Sequence, residues 1–550
     1  MPKLAPSVEK LRGGFYTPES ISAFLTDWAL TPATRSVLEP SCGDGTFLAS
    51  IGQRARDLDL GESLEVLACE VDAEEASYAS QRLRMHGLNG TVLAHDFFHV
   101  VRDQLASRRF DAVVGNPPFI RFQYFPEAHR SVAFELMQTI GLKPNRLTNA
   151  WVPFVAIAAS LLSDHGRLAL VLPAELLQVS YAAELRRYLT EQLGRITLVT
   201  FRSLVFESVE QEVVLLLAEG RATSGGIRTL ELDNVDELRD RALLDRTVAG
   251  LPLDHSTEKW TQYFLTEREF SLVRAVRSSG SLTFGDLASV DVGVVTGNND
   301  FFVLPEGSPW AQDLTQHIEP IVHRSSQLRG LQTTASDWAD GAGKGGGRGL
   351  LAVDADLVPV GRLADYIAVG EARGVHLGYK CRIRRMWHVV PSRHVPDAFM
   401  LRQIHRAPRV SLNEVGATST DTVHRVRFGP EVDVRRAVAS FHSSVTFAFA
   451  ELLGRSYGGG VLELEPTEAE QLPVAYDDAA ESAWKMTDAH LRNGRVEEAA
   501  RSTDAVVRGW FGLTAGDMDV LHRVWLRLRD RRAHRGRTQA LAPSELAPTG

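Results

Sequence analysis

The stretch Phe110-Asp111-Ala112-Val113-Val114-Gly115-Asn116-Pro117-Pro118-Phe119 ends an apolar run directly in an amide side chain, two prolines and an aromatic ring. The prolines fix φ and stiffen the loop. A loop of this kind offers two acceptors in a set geometry, the side-chain carbonyl of Asn116 and the backbone carbonyl of Pro117. Each can take one N–H of a planar amine. Such an amine is a poor nucleophile, because its lone pair is delocalised into the attached ring or carbonyl. Holding both hydrogens turns the lone pair toward an electrophilic carbon for an in-line displacement. The gain is one of positioning and electrostatics, without a covalent intermediate. Phe119 adds an aromatic face for a flat substrate, a contact worth about 1–3 kcal/mol against a nucleobase.

A second constellation lies upstream. Glu39-Pro40-Ser41-Cys42-Gly43-Asp44-Gly45 follows the short apolar run Ser36 to Glu39 and precedes a helix that starts near Thr46. Gly43 and Gly45 let the backbone turn tightly and approach a ligand without Cβ clashes. Taken alone, such a turn is a weak signal. Glu70 strengthens it, because an acid ending the second strand is placed to accept both hydroxyls of a ribose. Asp96-Phe97, expected to end the third strand, would hold an adenine amine and cover its ring. The absence of a GxGxxG pattern argues against a nicotinamide cofactor. The plainer readings are a strand-end carboxylate in a salt bridge for Glu70 and a proline-rich turn for residues 116–119. The company these residues keep favours the chemical reading.

These groups need a frame that presents strand ends to one crevice. From about Val37 to Leu217, short apolar strands alternate with amphipathic stretches such as Glu74 to His86 and Val152 to Leu162. Leu64 to Glu70, Phe110 to Val114, Arg167 to Leu172, Ile196 to Phe201 and Glu212 to Leu217 read as strands of a doubly wound α/β sheet. Residues 221–255 read as a linker. Beyond them the pattern is less regular, and Gly341 to Gly349 is low in complexity and reads as a loop. A chain of 550 residues implies two or three domains, and 44% hydrophobic with 23% charged residues suits a soluble protein. With no long apolar run and no apolar leader at the first residues, a cytoplasmic location is expected and no membrane role. Cys42, Cys69 and Cys381 are far apart and read as reduced thiols, with no metal-ligand spacing.

In the order of its motifs the chain resembles the gamma class of adenine-N6 DNA methyltransferases of bacterial restriction–modification systems. Gly14-Phe15-Tyr16-Thr17-Pro18, then Glu39 to Gly45, Glu70, Asp96-Phe97 and Asn116 to Phe119 follow in that class's sequence. Leu170 to Leu177 and Val205-Phe206-Glu207-Ser208 resemble its later segments. The resemblance implies a Rossmann-like class I methyltransferase domain followed by a mixed α+β target-recognition domain. It implies S-adenosylmethionine as cofactor, bound by Phe15, Thr17, Pro18, Glu39, Pro40, Ser41, Gly43, Gly45, Glu70, Asp96, Phe97 and Asn116. It implies catalysis by Asn116, Pro117, Pro118 and Phe119, with Phe119 and Phe206 stacking on the extruded adenine. The class more often has Tyr where this chain has Phe119, a change that loses a hydroxyl and keeps the π-face.

On this basis residues 1–250 are expected to form the methyltransferase domain, 251–480 the recognition domain and 481–550 a helical, partly basic extension. Asp291 to Phe302, Tyr379 to Pro391 and Arg455 to Gly460 resemble segments of such a recognition module. Arg373 to Arg409 carries nine Lys or Arg against one Asp, interleaved with Tyr379, Trp387 and Phe399. Lys380, Arg382, Arg384 and Arg385, read as partly alternating along a strand, are the candidates for phosphate contact. Arg523 to Arg537 is a second basic stretch, equally suited to DNA or to solvent. The expected partners are double-stranded DNA and a separately encoded restriction endonuclease, and the protein is expected to be a monomer. RNA or protein-amide methylation, or a DNA-binding specificity component needing a partner subunit, are the competing readings. The lack of a Pro-Cys pair speaks against cytosine-C5 chemistry, and cytosine-N4 methylation stays open chemically, although Asn116 at the head of the tetrapeptide resembles the adenine group. No Lys has an acid two residues before it, as the common nuclease pattern requires.

Overall fold

The apolar runs of the first half pair into one nine-stranded sheet. In the computed structural model, residues 17–203, 205, 212–240, 242–255, 257–305, 307–340, 348–456 and 460–537 are described. β1 (Ser36–Glu39), β2 (Glu65–Cys69), β3 (Asn89–Leu93), β4 (Phe110–Gly115) and β5 (Leu162–Pro173) run parallel in the order β3-β2-β1-β4-β5. β7 (Val213–Glu219) inserts antiparallel between β5 and β6 (Arg195–Phe201). The strands are apolar because both faces are covered: Phe110, Ala112, Val113 and Val114 of β4 are fully buried. Chain order reverses between β1 and β4, which opens a crevice at their carboxyl ends.

The helices that flank this crevice follow from local signals. α1 (Glu19–Ala29) begins after Pro18, and α2 (Thr46–Asp57) buries Phe47, Leu48 and Ile51. α3 (Ala73–Met85) starts at Asp72, whose carboxylate accepts the N–H groups of Glu74 and Glu75, and it ends on Arg82 and Arg84, favourable at both poles of the helix dipole. Gly45 caps α2 with φ +91°, and a Cβ there would meet Ala79 Cα at 3.0 Å. The close approach of α2 to α3 therefore requires glycine.

Two expectations change here. Residues 221–255 are not simply a linker: β8 (Gly226–Leu232) and β9 (Val248–Ala249) extend the sheet at its edge. Their polar composition fits an edge position, where Leu230 and Leu232 are buried and their neighbours are not. β3 stops at Leu93, and Asp96 instead caps the short helix α4 (Phe97–Val100).

Residues 265–456 and 460–533 form a second compact unit, and the first unit is built mainly from residues 1–264. The second unit holds a five-stranded sheet in which Val423–Phe428 lies antiparallel between Ala288–Asp291 and Ala398–Leu401. Smaller four- and three-stranded sheets accompany it, and helices Trp484–Arg492, Val496–Val507 and Ala515–Arg537 follow. Arg348 and Gly349, read as part of a loop, open the strand Arg348–Leu351, while Lys344 lies outside the described residues. Among the described residues no helix is long and apolar enough to cross a membrane. All three cysteines are buried and unpaired.

The basic stretch near the C-terminus is helical, and three of its arginines are paired with glutamates of the same unit, Arg529 and Arg532 turned inward and Arg527 at the surface. Arg527 pairs with Glu269 (2.6 Å), Arg529 with Glu497 (2.8 Å) and Arg532 with Glu451 (2.8 Å). The last pair is almost wholly enclosed, both side chains being 3% exposed, and Arg532 Nη1 also donates to Gly460 O at 2.6 Å. Burial raises the Glu451 carboxyl above its ordinary value although Arg532 pulls it down. Removing one partner of such a pair strands the other charge in the interior. Glu451→Ala is expected to destabilise the second unit by about 3–5 kcal/mol, measured by urea denaturation; a loss under about 1 kcal/mol would contradict this account.

Candidate active site

The strand ends converge on a cavity of about 460 Å³. Of the residues expected from sequence, Thr17, Glu39, Pro40, Ser41, Gly43, Glu70, Asp96, Phe97, Asn116 and Pro118 line it. Pro18 sits at the start of α1, Gly45 at the start of α2, and Pro117 is buried behind the wall. Phe119 is partly buried and leans on the hydrophobic core of the first unit, where Val205 packs as well. Phe15 and Phe206 lie outside the described residues.

Glu70 ties two of these elements together. One carboxylate oxygen accepts Gly43 N–H and the other accepts Asp72 N–H, both at 2.9 Å. Each oxygen keeps a second lone pair for a ligand hydroxyl. Burial raises the Glu70 carboxyl above its ordinary value, and these backbone bonds partly offset that. Glu39 is different. It is 1% exposed, and neither of its oxygens has a hydrogen-bond partner among the described residues. Burial, followed by the nearby Glu70 and Asp44, drives its carboxyl well above the usual range. An orphaned acid in a cavity calls for a cationic or N–H ligand.

Asn116 leaves the end of β4 with its amide oriented. Nδ2 donates to Thr17 Oγ1 at 3.1 Å, and Ser41 Oγ donates to Asn116 O at 3.3 Å. The loop after it is fastened at both sides: Phe122 N–H donates to Asn149 Oδ1 at 3.0 Å, and Ala150 N–H to Ile120 O at 2.9 Å. Asn149 is itself held by Tyr181, whose hydroxyl also donates to Glu175. The two prolines supply local stiffness, and this network supplies the rest.

Sequence reasoning missed the company of Asp96. Its Oδ1 accepts from His99 Nδ1 at 2.8 Å, and Oδ2 lies 3.3 Å from His129 Nδ1, on the helix Glu127–Thr139. Among the described residues these three bring potential ligand atoms within 4.8 Å of one another, where the sequence offered no metal-ligand spacing. Of the two imidazoles only His99 is hydrogen-bonded to the carboxylate, and His129 stands close by. Phe97 stacks on Phe154 at 5.4 Å, so the ring expected to cover an adenine is itself rigidly backed. Tyr124, Phe125 and Phe154 also line the cavity. The aromatic run Phe122 to Phe125 just after the tetrapeptide was the available signal.

In the second unit, the segment bearing the candidate DNA contacts is a one-turn helix, Tyr379–Arg382, rather than a strand. Lys380, Arg382 and Arg385 are exposed. Arg384 turns inward and donates to the carbonyls of Val295 (2.7 Å), Thr296 (2.8 Å) and Trp387 (3.2 Å). It is a structural clamp, fully engaged by backbone.

The strand order β3-β2-β1-β4-β5-β7-β6, with β7 antiparallel to its two neighbours, and an acid-lined cavity at the carboxyl ends of the parallel strands define a class I S-adenosylmethionine-dependent methyltransferase. The cavity fits that cofactor, whose α-ammonium suits Glu39 and whose ribose suits Glu70. Comparison with known proteins carries the assignment further. The N-6 DNA Methylase family model matches residues 1–247, and that of the C-terminal domain of Type II methyltransferase M.Eco57I matches 257–508. The chain therefore carries an N-6 DNA methylase domain followed by a C-terminal domain of the Type II methyltransferase M.Eco57I kind. It is 21% identical over 477 residues to Type II methyltransferase M.AccI of Acinetobacter calcoaceticus, spanning 82% of this chain and 83% of that one. To Type II methyltransferase M.XamI of Xanthomonas campestris pv. amaranthicola it is 23% identical, spanning 84% and 85%. The Type IIL restriction-modification enzyme MmeI, solved in complex with DNA, shares the fold over 93% of this chain and 75% of its own, with a TM-score of 0.60 and 10% identity.

Proposed function

We propose that the protein methylates the N6 amine of an adenine rotated out of duplex DNA. The observation that carries this reading is the oriented Asn116 amide opening, with Pro118, onto the cavity that holds the orphaned Glu39. S-adenosylmethionine, when bound, supplies an electrophilic methyl group on its sulfonium. Glu39 pairs with the α-ammonium, and Thr17, Pro18 and Phe15 flank the methionine chain. Glu70 takes the ribose hydroxyls, Asp96 the adenine amine and Phe97 its ring. Asn116 Oδ1 and Pro117 O hold the two N–H groups of the target amine, so its lone pair faces the methyl, and the surplus proton leaves to solvent. Phe119 and Phe206 give the extruded base its aromatic faces. Lys380, Arg382 and Arg385 contact phosphates, within a recognition segment spanning residues 251–480. The protein acts as a cytoplasmic monomer beside a separately encoded restriction endonuclease.

Nucleoside mass spectrometry on unmethylated plasmid DNA, incubated with protein and S-adenosylmethionine, tests the reading. N6-methyladenine formed by the wild type and not by Asn116→Ala supports it. A bound cofactor with no methylated nucleoside would redirect it to RNA or a protein amide.

Glu39 adds a pH signature. Its carboxyl is raised while unpaired, so below that raised value it is protonated and cannot pair with an ammonium. Cofactor binding then releases a proton. Affinity for S-adenosylmethionine is expected to fall by up to tenfold per pH unit below the raised value and to level off above it. Glu39→Gln should flatten the profile and weaken binding at high pH, as read by calorimetry in buffers of different ionisation enthalpy. An unchanged slope in the variant would remove Glu39 from the ammonium site.

A further inference from the structure

Seven residues of the second unit put three large apolar side chains into solvent. Leu377 is 67% exposed, Tyr379 64% and Ile383 60%. Scattered exposed apolar residues are ordinary, but three on one short turn mark a contact surface. The turn is held from beneath. Cys381, between the exposed residues, is fully buried, with its thiol toward Thr296 O at 3.8 Å. Arg384 grips the same Val295–Thr296 backbone. Gly297, at φ +85°, completes the seat: a Cβ there would lie 3.0 Å from both Cys381 Sγ and Lys380 Cβ. Around the apolar trio stand the exposed Lys380, Arg382 and Arg385, none with an ion-pair partner among the described residues. Lys380 Nζ lies 5.7 Å from the Tyr379 ring centre.

We infer that this turn is a wedge: Leu377, Tyr379 and Ile383 enter a groove of the DNA duplex and press on base edges or between base steps, while the three cations hold the flanking phosphates. The inference rests on the DNA reading above and deepens it, since it assigns this surface a distortion of the duplex as well as an electrostatic grip. Charge chooses the occupant. Cations with no carboxylate to neutralise them suit a polyanion. Apolar side chains set among those cations suit a polyanion whose base steps, when partly unstacked, uncover apolar faces between the phosphates. Leu and Ile are established wedge residues, and a turn already fixed by Cys381 and Arg384 loses little entropy on docking.

The test uses short duplexes carrying the methylation site found by modification-sensitive sequencing, with 2-aminopurine stepped through positions outside the methylated adenine. The wild type is expected to raise fluorescence at one step. Tyr379→Ala and Ile383→Gln, both on exposed side chains, should abolish that rise and weaken binding about tenfold, with the slope of log K against log salt unchanged. Lys380→Gln should keep the rise and reduce the slope by about 0.9. Wild-type fluorescence and affinity in the two apolar variants would overturn the wedge while leaving DNA methylation standing. A wild type that neither binds nor methylates duplex DNA would overturn both, and a wild type that methylates the duplex with no rise in fluorescence at any step would overturn the wedge alone.

Discussion

Asn116→Ala is expected to lower the rate of methyl transfer by about 10²–10³-fold at saturating cofactor and DNA. The side-chain carbonyl is one of two acceptors that orient the attacking amine, and its loss leaves Pro117 O alone to do so. Cofactor affinity should change by less than about tenfold, because Glu39, Glu70 and Asp96 remain. The loop should also stay in place: Phe122 and Ile120 are anchored by Asn149 and Ala150, not by Asn116. Single-turnover measurement of N6-methyladenine separates the two effects. A variant that keeps more than a tenth of the wild-type rate would show that the prolines and the aromatic face suffice.

The second large effect is expected at Glu70. Its carboxylate fastens the Gly43 turn to the residue that caps α3, and it does so with lone pairs to spare for a ribose. Glu70→Ala removes two hydrogen bonds of a charged acceptor to the ligand, each worth about 1.5–3 kcal/mol. It also frees two buried backbone N–H groups. The dissociation constant for S-adenosylmethionine should rise by at least about 100-fold, which corresponds to ~2.7 kcal/mol. Glu70→Gln should fall between, since the amide keeps one acceptor. Titration calorimetry reads both variants directly, and a change under about threefold would remove the ribose contact from Glu70.

What the sequence disclosed and what it hid divide along a physical line. Glu39 to Gly45 and Asn116 to Phe119 were legible because their chemistry is local: glycines for a turn, prolines for stiffness, an amide beside them. The interior strands were legible because full burial writes continuous apolar runs, as in β4 and β7. Contacts between distant segments were not. His129 reaches Asp96 from a helix beginning at Glu127, and Asn149 and Tyr181 brace a loop that precedes both. Edge strands were hidden too, since β8 buries only part of its face and reads as polar linker. Charge counting failed in direction rather than amount. Arg384, Arg527, Arg529 and Arg532 belong to basic stretches, yet backbone carbonyls and glutamates claim all four.

The Glu451–Arg532 pair has a temporal side. The two residues are separated by 81 positions, and a ribosome adding about 5–20 residues per second needs roughly 4–16 s to pass from one to the other. Through that interval the helix holding Glu451 has no countercharge for it, and its burial is unfavourable. The nine-stranded sheet, complete by Ala249, has no such wait. A nascent chain paused between the two positions would display a finished cavity while the second unit is still incomplete, so the site is assembled before the rest of the chain has folded.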